Sequence, residues 1–281
     1  MKQHVTACID GSTLSTTVCH WASWAAERLQ LPVNFMHVLE RVQETGTLDL
    51  SGSIGLDARY ELLEELVKLD EQRSRLMQEH GKTLLAEAKS LIAKSHPDLE
   101  ISTSLRHGEL AENLLEQEAS LRLVIIGRQG EASQTLLSQV GSQLENVVRT
   151  LHVPILVSLD EFAPPRRIMV AFDGSETAHI ALERIIKSPL FLNIPCDLVM
   201  VNSTEDALNE AKSLLHMAGI AAEGYLLSGE IVPALLSHIR EHEIDMIVMG
   251  AYGHSRIRQF LLGSHTSQML AQSPIPLLLL R

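Results

Sequence analysis

Val5-Thr6-Ala7-Cys8-Ile9-Asp10-Gly11-Ser12 stands near the start of the chain, and Ile168-Met169-Val170-Ala171-Phe172-Asp173-Gly174-Ser175 repeats its plan much later. Each is an apolar run that ends in Asp-Gly-Ser before an amphipathic stretch. The offset between Asp10 and Asp173 is 163 residues. Further pairs follow at a smaller, steady offset: Gly108-Glu109 with Gly229-Glu230, Gly127 with Gly250, Gly141-Ser142 with Gly263-Ser264, and Val153-Pro154-Ile155 with Ile275-Pro276-Leu277, all 121–123 apart. Turn residues repeating in register mark an internal duplication. The drop from 163 to about 122 places some 40 extra residues in the first copy, at about 43–83.

Both copies alternate strand and helix. In the second, strands are predicted over 168–173, 196–202, 221–227, 245–249 and 276–280, with helices over 176–187, 204–217, 230–242 and 264–272. In the first, the strands fall at 4–9, 33–39, 99–105, 123–127 and 154–159. Leu123-Val124-Ile125-Ile126-Gly127 and Asp245-Met246-Ile247-Val248-Met249 are almost continuously apolar, as parallel strands buried on both faces are. The expected fold is α/β: two tandem, doubly wound, Rossmann-like parallel sheets of five strands with helices on both faces. Residues 1–160 and 167–281 are the expected domains, joined by a linker containing Pro164-Pro165, which continues neither element. The extra segment begins polar, between Gly46 and Gly55, and turns helical. Tyr60, Leu63, Leu66, Val67 and Leu69 lie on one side, Glu64, Glu65, Lys68 and Glu71 on the other. It reads as a helix covering its own domain, with a lid or partner surface as the alternative.

Composition narrows the function. Of 281 residues, 45% are apolar, which excludes a disordered chain. Lys and Arg number 23 against 35 Asp and Glu, a formal charge of −12, and no basic run appears. Nucleic-acid binding, which depends on phosphate neutralisation, is therefore not expected. No apolar run approaches the roughly 20 residues of a membrane helix, and no signal-peptide pattern is seen, so a cytoplasmic location is expected. Cys8, Cys19 and Cys196 are too few and too scattered for a disulfide framework or a structural zinc site.

In an open parallel sheet, ligands bind beyond the carboxyl ends of the strands, where the strand order reverses. Two loops of the second copy meet that condition. One holds Asp173. The other reads Gly250-Ala251-Tyr252-Gly253-His254-Ser255-Arg256-Ile257-Arg258 and runs on to Gly263-Ser264-His265-Thr266. Gly250 and Gly253 permit close backbone approach, and Gly263-Ser264 opens a helix whose unpaired N–H groups favour an anion. Ser264 and Thr266 add hydroxyls, and His254, Arg256 and Arg258 add positive charge. A nucleotide fits, ribose toward Asp173 and phosphates along the glycine loop.

This arrangement resembles the universal stress protein family, whose nucleotide-binding members carry G-x2-G-x9-G-[S/T]. Gly250, Gly253, Gly263 and Ser264 match that spacing, and the resemblance covers nearly the whole chain as two copies. It implies ATP as ligand, with Asp173 near the ribose, Val201 beside the adenine, Gly250 and Gly253 near ribose and phosphates, and Gly263, Ser264 and Thr266 at the phosphates. Mg²⁺ would accompany the ATP. The resemblance also implies dimerisation through last strands and a stress-response role with slow hydrolysis or none.

The first copy departs from this pattern. Ten residues, not nine, separate Gly130 from Gly141, and Glu131-Ala132-Ser133-Gln134-Thr135 carries an acid and no base. Asp10, Gly127, Gly130, Gly141 and Ser142 remain as a second candidate set, but charge favours the second copy. Against both sets stands a plainer reading in which the glycines only turn the chain, Gly-Ser caps a helix, and Asp10 and Asp173 cap the helices that follow them.

His238-Ile239-Arg240-Glu241-His242 spells H-x-x-E-H, a pattern found in some zinc peptidases. It is placed on the solvent face of a covering helix without a third ligand, so metal catalysis is not expected there. Trp21 and Trp24 read as packing, with an interface as the alternative. The strands at 155–159 and 275–280 are strongly apolar and would invite aggregation if left as edges. Pairing them with each other would make the chain a pseudo-symmetric dimer of its halves, and a homodimer is the further possibility.

The expected function is a tandem universal stress protein that binds ATP, mainly in the second copy, and senses or regulates with at most slow hydrolysis. No catalytic residue and no resident protein-bound metal is assigned. The alternatives are a nucleotide-free interaction module for a protein or apolar ligand, and an enzyme that uses ATP to adenylate a substrate.

Overall fold

The structure is a computed structural model that describes residues 3–39, 56–130, 140–251 and 264–281, with side chains from 65 onward in the second of these stretches. The described residues form ten strands: β1 (His4–Cys8), β2 (Val33–Leu39), β3 (Ile101–His107), β4 (Leu121–Gly127), β5 (Ile155–Ser158), β6 (Ile168–Ala171), β7 (Cys196–Val201), β8 (Ala222–Leu227), β9 (Met246–Gly250) and β10 (Leu277–Leu280). Between them lie α1 (Ser15–Leu29), α2 (Leu56–Ser95), α3 (Leu110–Glu116), α4 (Ser142–Thr150), α5 (Glu176–Lys187), α6 (Glu205–Met217), α7 (Ile231–Glu241) and α8 (Ser264–Gln272).

The strands form one sheet in the order β3-β2-β1-β4-β5-β10-β9-β6-β7-β8. Pairing is parallel within each half, with Val5 beside Val33 and Leu123, and Val170 beside Leu198 and Val248. Only β5 and β10 run antiparallel, with Leu277 opposite Val157 and Leu279 opposite Ile155. The halves therefore share one ladder, and the sheet's outer edges are β3 and β8. Helices α1, α2, α5 and α6 cover one face and α3, α4, α7 and α8 the other. Residues alternate between these cores along a strand: Leu123 and Ile125 point to the first, Val124 and Ile126 to the second.

The halves also grip each other outside the sheet. The guanidinium of Arg28 donates to the carbonyls of Leu190 and Leu192, while within the first half Thr17 Oγ1 donates to Asp160 O at 3.0 Å, where the linker begins. Trp21 is 1% exposed and meets Trp24 and the linker residue Phe162 edge-on, at centroid distances of 5.3 and 4.9 Å. The tryptophans thus pack internally, where α1 meets the linker.

The extra segment of the first half contributes α2. Its last turns pack Leu85, Ala88 and Ile92 on the sheet, at helical spacing. Val67 and Leu69, expected to pack, are 57% and 60% exposed. Among the described residues the packed part of α2 is its last turns, and the positions nearer its start stay accessible. The side chains of Tyr60, Leu63 and Glu64, and residues 40–55, lie outside the described residues. No helix among the described residues is long and apolar enough to cross a membrane.

Candidate functional site

Strand order reverses twice, between β1 and β4 in the first half and between β6 and β9 in the second. Helices leave the adjacent strands toward opposite faces at these points, which opens a crevice at the carboxyl ends. Asp10 and Gly127 flank the first crevice, and Asp173 and Gly250 flank the second.

In the second crevice, Gly174 takes φ +73°, a left-handed turn that bends the chain from β6 toward α5. The exposed Asp173 accepts the Ser175 N–H on Oδ1 at 3.0 Å. The helix itself is capped by Ser175, whose Oγ accepts the Ala178 N–H at 3.1 Å. Asp173 therefore shapes the turn rather than capping the helix, and its carboxylate stays at the crevice. Val201 ends β7 half-buried, and Gly250 ends β9 beside Leu280. At the start of α8, Ser264 is exposed while Thr266 is 2% exposed and aims its hydroxyl at Gly250 O, 3.5 Å away. Gly253, His254, Arg256, Arg258 and Gly263 lie outside the described residues. Sequence reasoning missed Asn202, whose side chain clasps the next loop: Nδ2 donates to Gly229 O at 2.7 Å and Oδ1 accepts Gly229 N–H at 3.0 Å. An Asn directly after an apolar strand run is the sequence signal for such a turn, and here it takes φ +53°.

The first crevice encloses a cavity of about 290 Å³, near the lower end of ligand pockets, roughly 300 Å³. Asp10 Oδ1 accepts the Ser12 N–H at 3.0 Å and the Ser15 hydroxyl at 3.3 Å, while α1 has no side-chain cap. Here too the aspartate holds the turn, and Leu14 stands at the N-cap position of α1. Gly141 donates its N–H to Arg128 O at 3.1 Å, which places it beside Gly130. A Cβ on Gly130 would come within 2.8 Å of Asp10 Oδ2, so the glycine lets backbone and carboxylate meet. Ser142 is exposed at the start of α4. The sequence residues Asp10, Gly127, Gly130, Gly141 and Ser142 all line this one cavity. Residues 131–139, including Glu131 and Thr135, lie outside the described residues.

Three contributions to this cavity were not legible in the sequence. Met77 and His80 reach it from α2, and buried His37 stands on β2 with Nδ1 2.7 Å from Ile9 O. Gly81 allows that approach, because a Cβ there would meet Leu105 Cδ1 at 2.8 Å and His37 Cδ2 at 2.9 Å. Arg128 also lines the cavity, but its Nη1 donates to Ser273 O of the other half at 2.8 Å, and burial pushes its pKa down despite Asp160. Its charge is committed to joining the halves.

The H-x-x-E-H stretch corrects one expectation. His238 is buried at 2% exposure and His242 is 30% exposed, both turned toward the sheet rather than away from it. Asp197 of β7, fully buried, stands against them. The helix period places residues 238 and 242 on one face, and that face is the packed one.

These features define a tandem α/β protein with a strand-order reversal, and a crevice at the carboxyl ends of its strands, in each half. The model of the Universal stress protein family matches residues 1–158 and 197–281, and the chain belongs to that family. It is 30% identical over 287 residues to "Universal stress protein Slr1230" of Synechocystis, covering 99% of this chain and 100% of that one. A universal stress protein structure from Archaeoglobus fulgidus matches with TM-score 0.68 at 17% identity, over 99% of this chain and 98% of that one. A Pseudomonas aeruginosa protein, PA1789, matches with TM-score 0.66 at 13% identity, over 99% and 92%. At those identities the structural likeness speaks to fold.

Proposed function

We propose that this universal stress protein binds ATP, chiefly in the second half, and acts as a cytoplasmic stress-response regulator with at most slow hydrolysis. The observation that carries the reading is the reversal between β6 and β9, with Asp173 and Gly250 at the ends of those neighbouring strands. In this reading Asp173 holds the ribose, Val201 lies beside the adenine, and Gly250 and Gly253 let ribose and phosphates approach. His254 and Arg256 supply positive charge, and Gly263, Ser264 and Thr266 take the phosphates at a helix start. The Asp173 carboxylate and Ser264 hydroxyl are hard oxygen donors of the kind Mg²⁺ accepts along with phosphates. Residues 1–160 and 167–281 act as the two domains.

A specific observation favours another ligand for the first half. Among the described residues its cavity is lined by Cys8, Leu14, Met36, Val38, Met77 and Leu144 beside the polar Asp10, Ser15, His37 and His80, and Arg128 is engaged elsewhere. A small apolar or partly apolar ligand suits that lining better than a triphosphate.

Calorimetric titration of ATP into nucleotide-stripped protein, with and without Mg²⁺, tests the proposal. A stoichiometry near one, lost in Asp173→Ala, is expected. A stoichiometry near two would make the first crevice a nucleotide site as well. A folded protein that takes up no ATP would overturn the reading and leave a nucleotide-free interaction module.

A further inference from the structure

Far from both crevices, at the amino-terminal end of the second half's strands, Asp197, His238 and His242 converge. Each presents one ligand-type atom, and the three atoms lie within 4.8 Å of one another. Asp197 Oδ2 is 2.8 Å from His238 Nε2 and 3.7 Å from His242 Nδ1. Three ligands at about 2.0–2.2 Å around one tetrahedral ion stand roughly 3.3–3.5 Å apart, so the His238–Asp197 pair would open slightly and the stacked imidazoles would tilt to turn both nitrogens onto the ion. The imidazoles are stacked, centroids 4.0 Å apart and 19° from parallel, with Tyr225 edge-on to both at 4.6 Å. Their rings are thus held where the nitrogens face one carboxylate oxygen.

The other carboxylate oxygen is already spoken for. Arg167 donates to Asp197 Oδ1 from Nε at 2.8 Å and approaches it with Nη2 at 2.7 Å, while Nη2 also reaches Glu223 at 2.9 Å. Glu223 in turn accepts the Tyr225 hydroxyl at 2.6 Å. A carboxylate anchored through one oxygen, with the other aimed at two imidazoles, has the outer support that metal ligands usually carry. Partial exposure of His242 gives a path from solvent and room for water to complete the shell.

The first half provides an internal contrast. Asn34, the second residue of β2, takes the place held by Asp197 as the second residue of β7, and α3 contains no histidine. Asn34 instead donates to Ser104 Oγ at 3.0 Å. The cluster is therefore not a requirement of the sheet.

We propose that Asp197, His238 and His242 form a binding site for one divalent first-row transition ion of the zinc type. Two imidazoles and one carboxylate suit Zn²⁺, Co²⁺, Ni²⁺ or Cu²⁺ and disfavour Mg²⁺ or Ca²⁺, which take oxygen ligands. The ion would tie β7 to the end of α7, at the opposite end of the strands from the nucleotide crevice, and the proposal is independent of ATP binding.

The test is titration of Zn²⁺ into the metal-free, tag-free full chain without nucleotide, with Co²⁺ as a spectroscopic probe. One equivalent of Zn²⁺, visible Co²⁺ bands of low-coordinate type and a raised Tm are expected. His242→Ala, at the more exposed position, should weaken Zn²⁺ binding at least tenfold, and His238→Gln should do the same. Arg167→Met, acting only through Asp197, should weaken it by about 10–100-fold. Asp173→Ala should leave it unchanged. A folded wild-type chain that binds no Zn²⁺, or binding undiminished in folded His242→Ala, would overturn the proposal.

Discussion

Leu278 of β10 lies opposite Leu156 of β5 in the antiparallel ladder that joins the two halves, and each is 1% exposed. Both side chains belong to the core beneath α1, α2, α5 and α6. Burying them closes two apolar edges that would otherwise be open to pairing with another chain. Leu278→Ala is expected to cost about 2–5 kcal/mol, since it leaves a cavity in a packed core. Urea denaturation should show that loss as a lower midpoint; an unchanged midpoint would mean that the ladder contributes little to stability.

Gly81→Ala sets two effects against each other. Alanine in a helix interior gains about 1 kcal/mol over glycine, but the new methyl would sit 2.8 Å from Leu105 Cδ1 and 2.9 Å from His37 Cδ2. His37 is buried and held at Ile9 O, so it cannot swing away freely. Overpacking costs about 1–3 kcal/mol, and a net destabilisation of about 1 kcal/mol is expected. A stabilised variant would show that α2 stands farther from the sheet in solution.

The thiols of Cys8, Cys19 and Cys196 are buried, and burial pushes each pKa up to about 12. A disulfide reagent at neutral pH should react slowly with the native protein and label three thiols once urea is added. The sign with pH follows. Unfolded thiols ionise near 9 while folded ones keep their protons to about 12, so stability is full below 9 and falls as pH rises toward 12. Fast labelling of the native chain would contradict the packing of these residues.

Gly263→Val, at the start of α8, should lower ATP affinity at least tenfold, or about 1.4 kcal/mol, without unfolding the chain. Gly130→Val should matter less for ATP, though it would push Asp10 aside in the first crevice. Titration of both variants, with circular dichroism as the check on folding, separates the two crevices; retained affinity in Gly263→Val would remove the proposed phosphate site.

The duplication was legible because it is carried by local chemistry. Asp-Gly-Ser turns, apolar runs of strand length and amphipathic helical spacing each record a conformation set within a few residues. Those signals placed β1, β6 and the strands between them, and therefore the two crevices, without knowledge of any contact.

What the tertiary structure alone decided are meetings between residues distant along the chain. Asp197 and His238 are 41 positions apart, and periodicity shows that 238 and 242 share a face but not which face is buried. That choice follows from how α7 lies on β7. His80 likewise reaches the first cavity only because Gly81 lets α2 settle against His37 and Leu105. Sequence pattern sets the direction of the chain locally, whereas packing decides which of its faces meet, because apolar burial is non-directional and is satisfied only by the whole assembly.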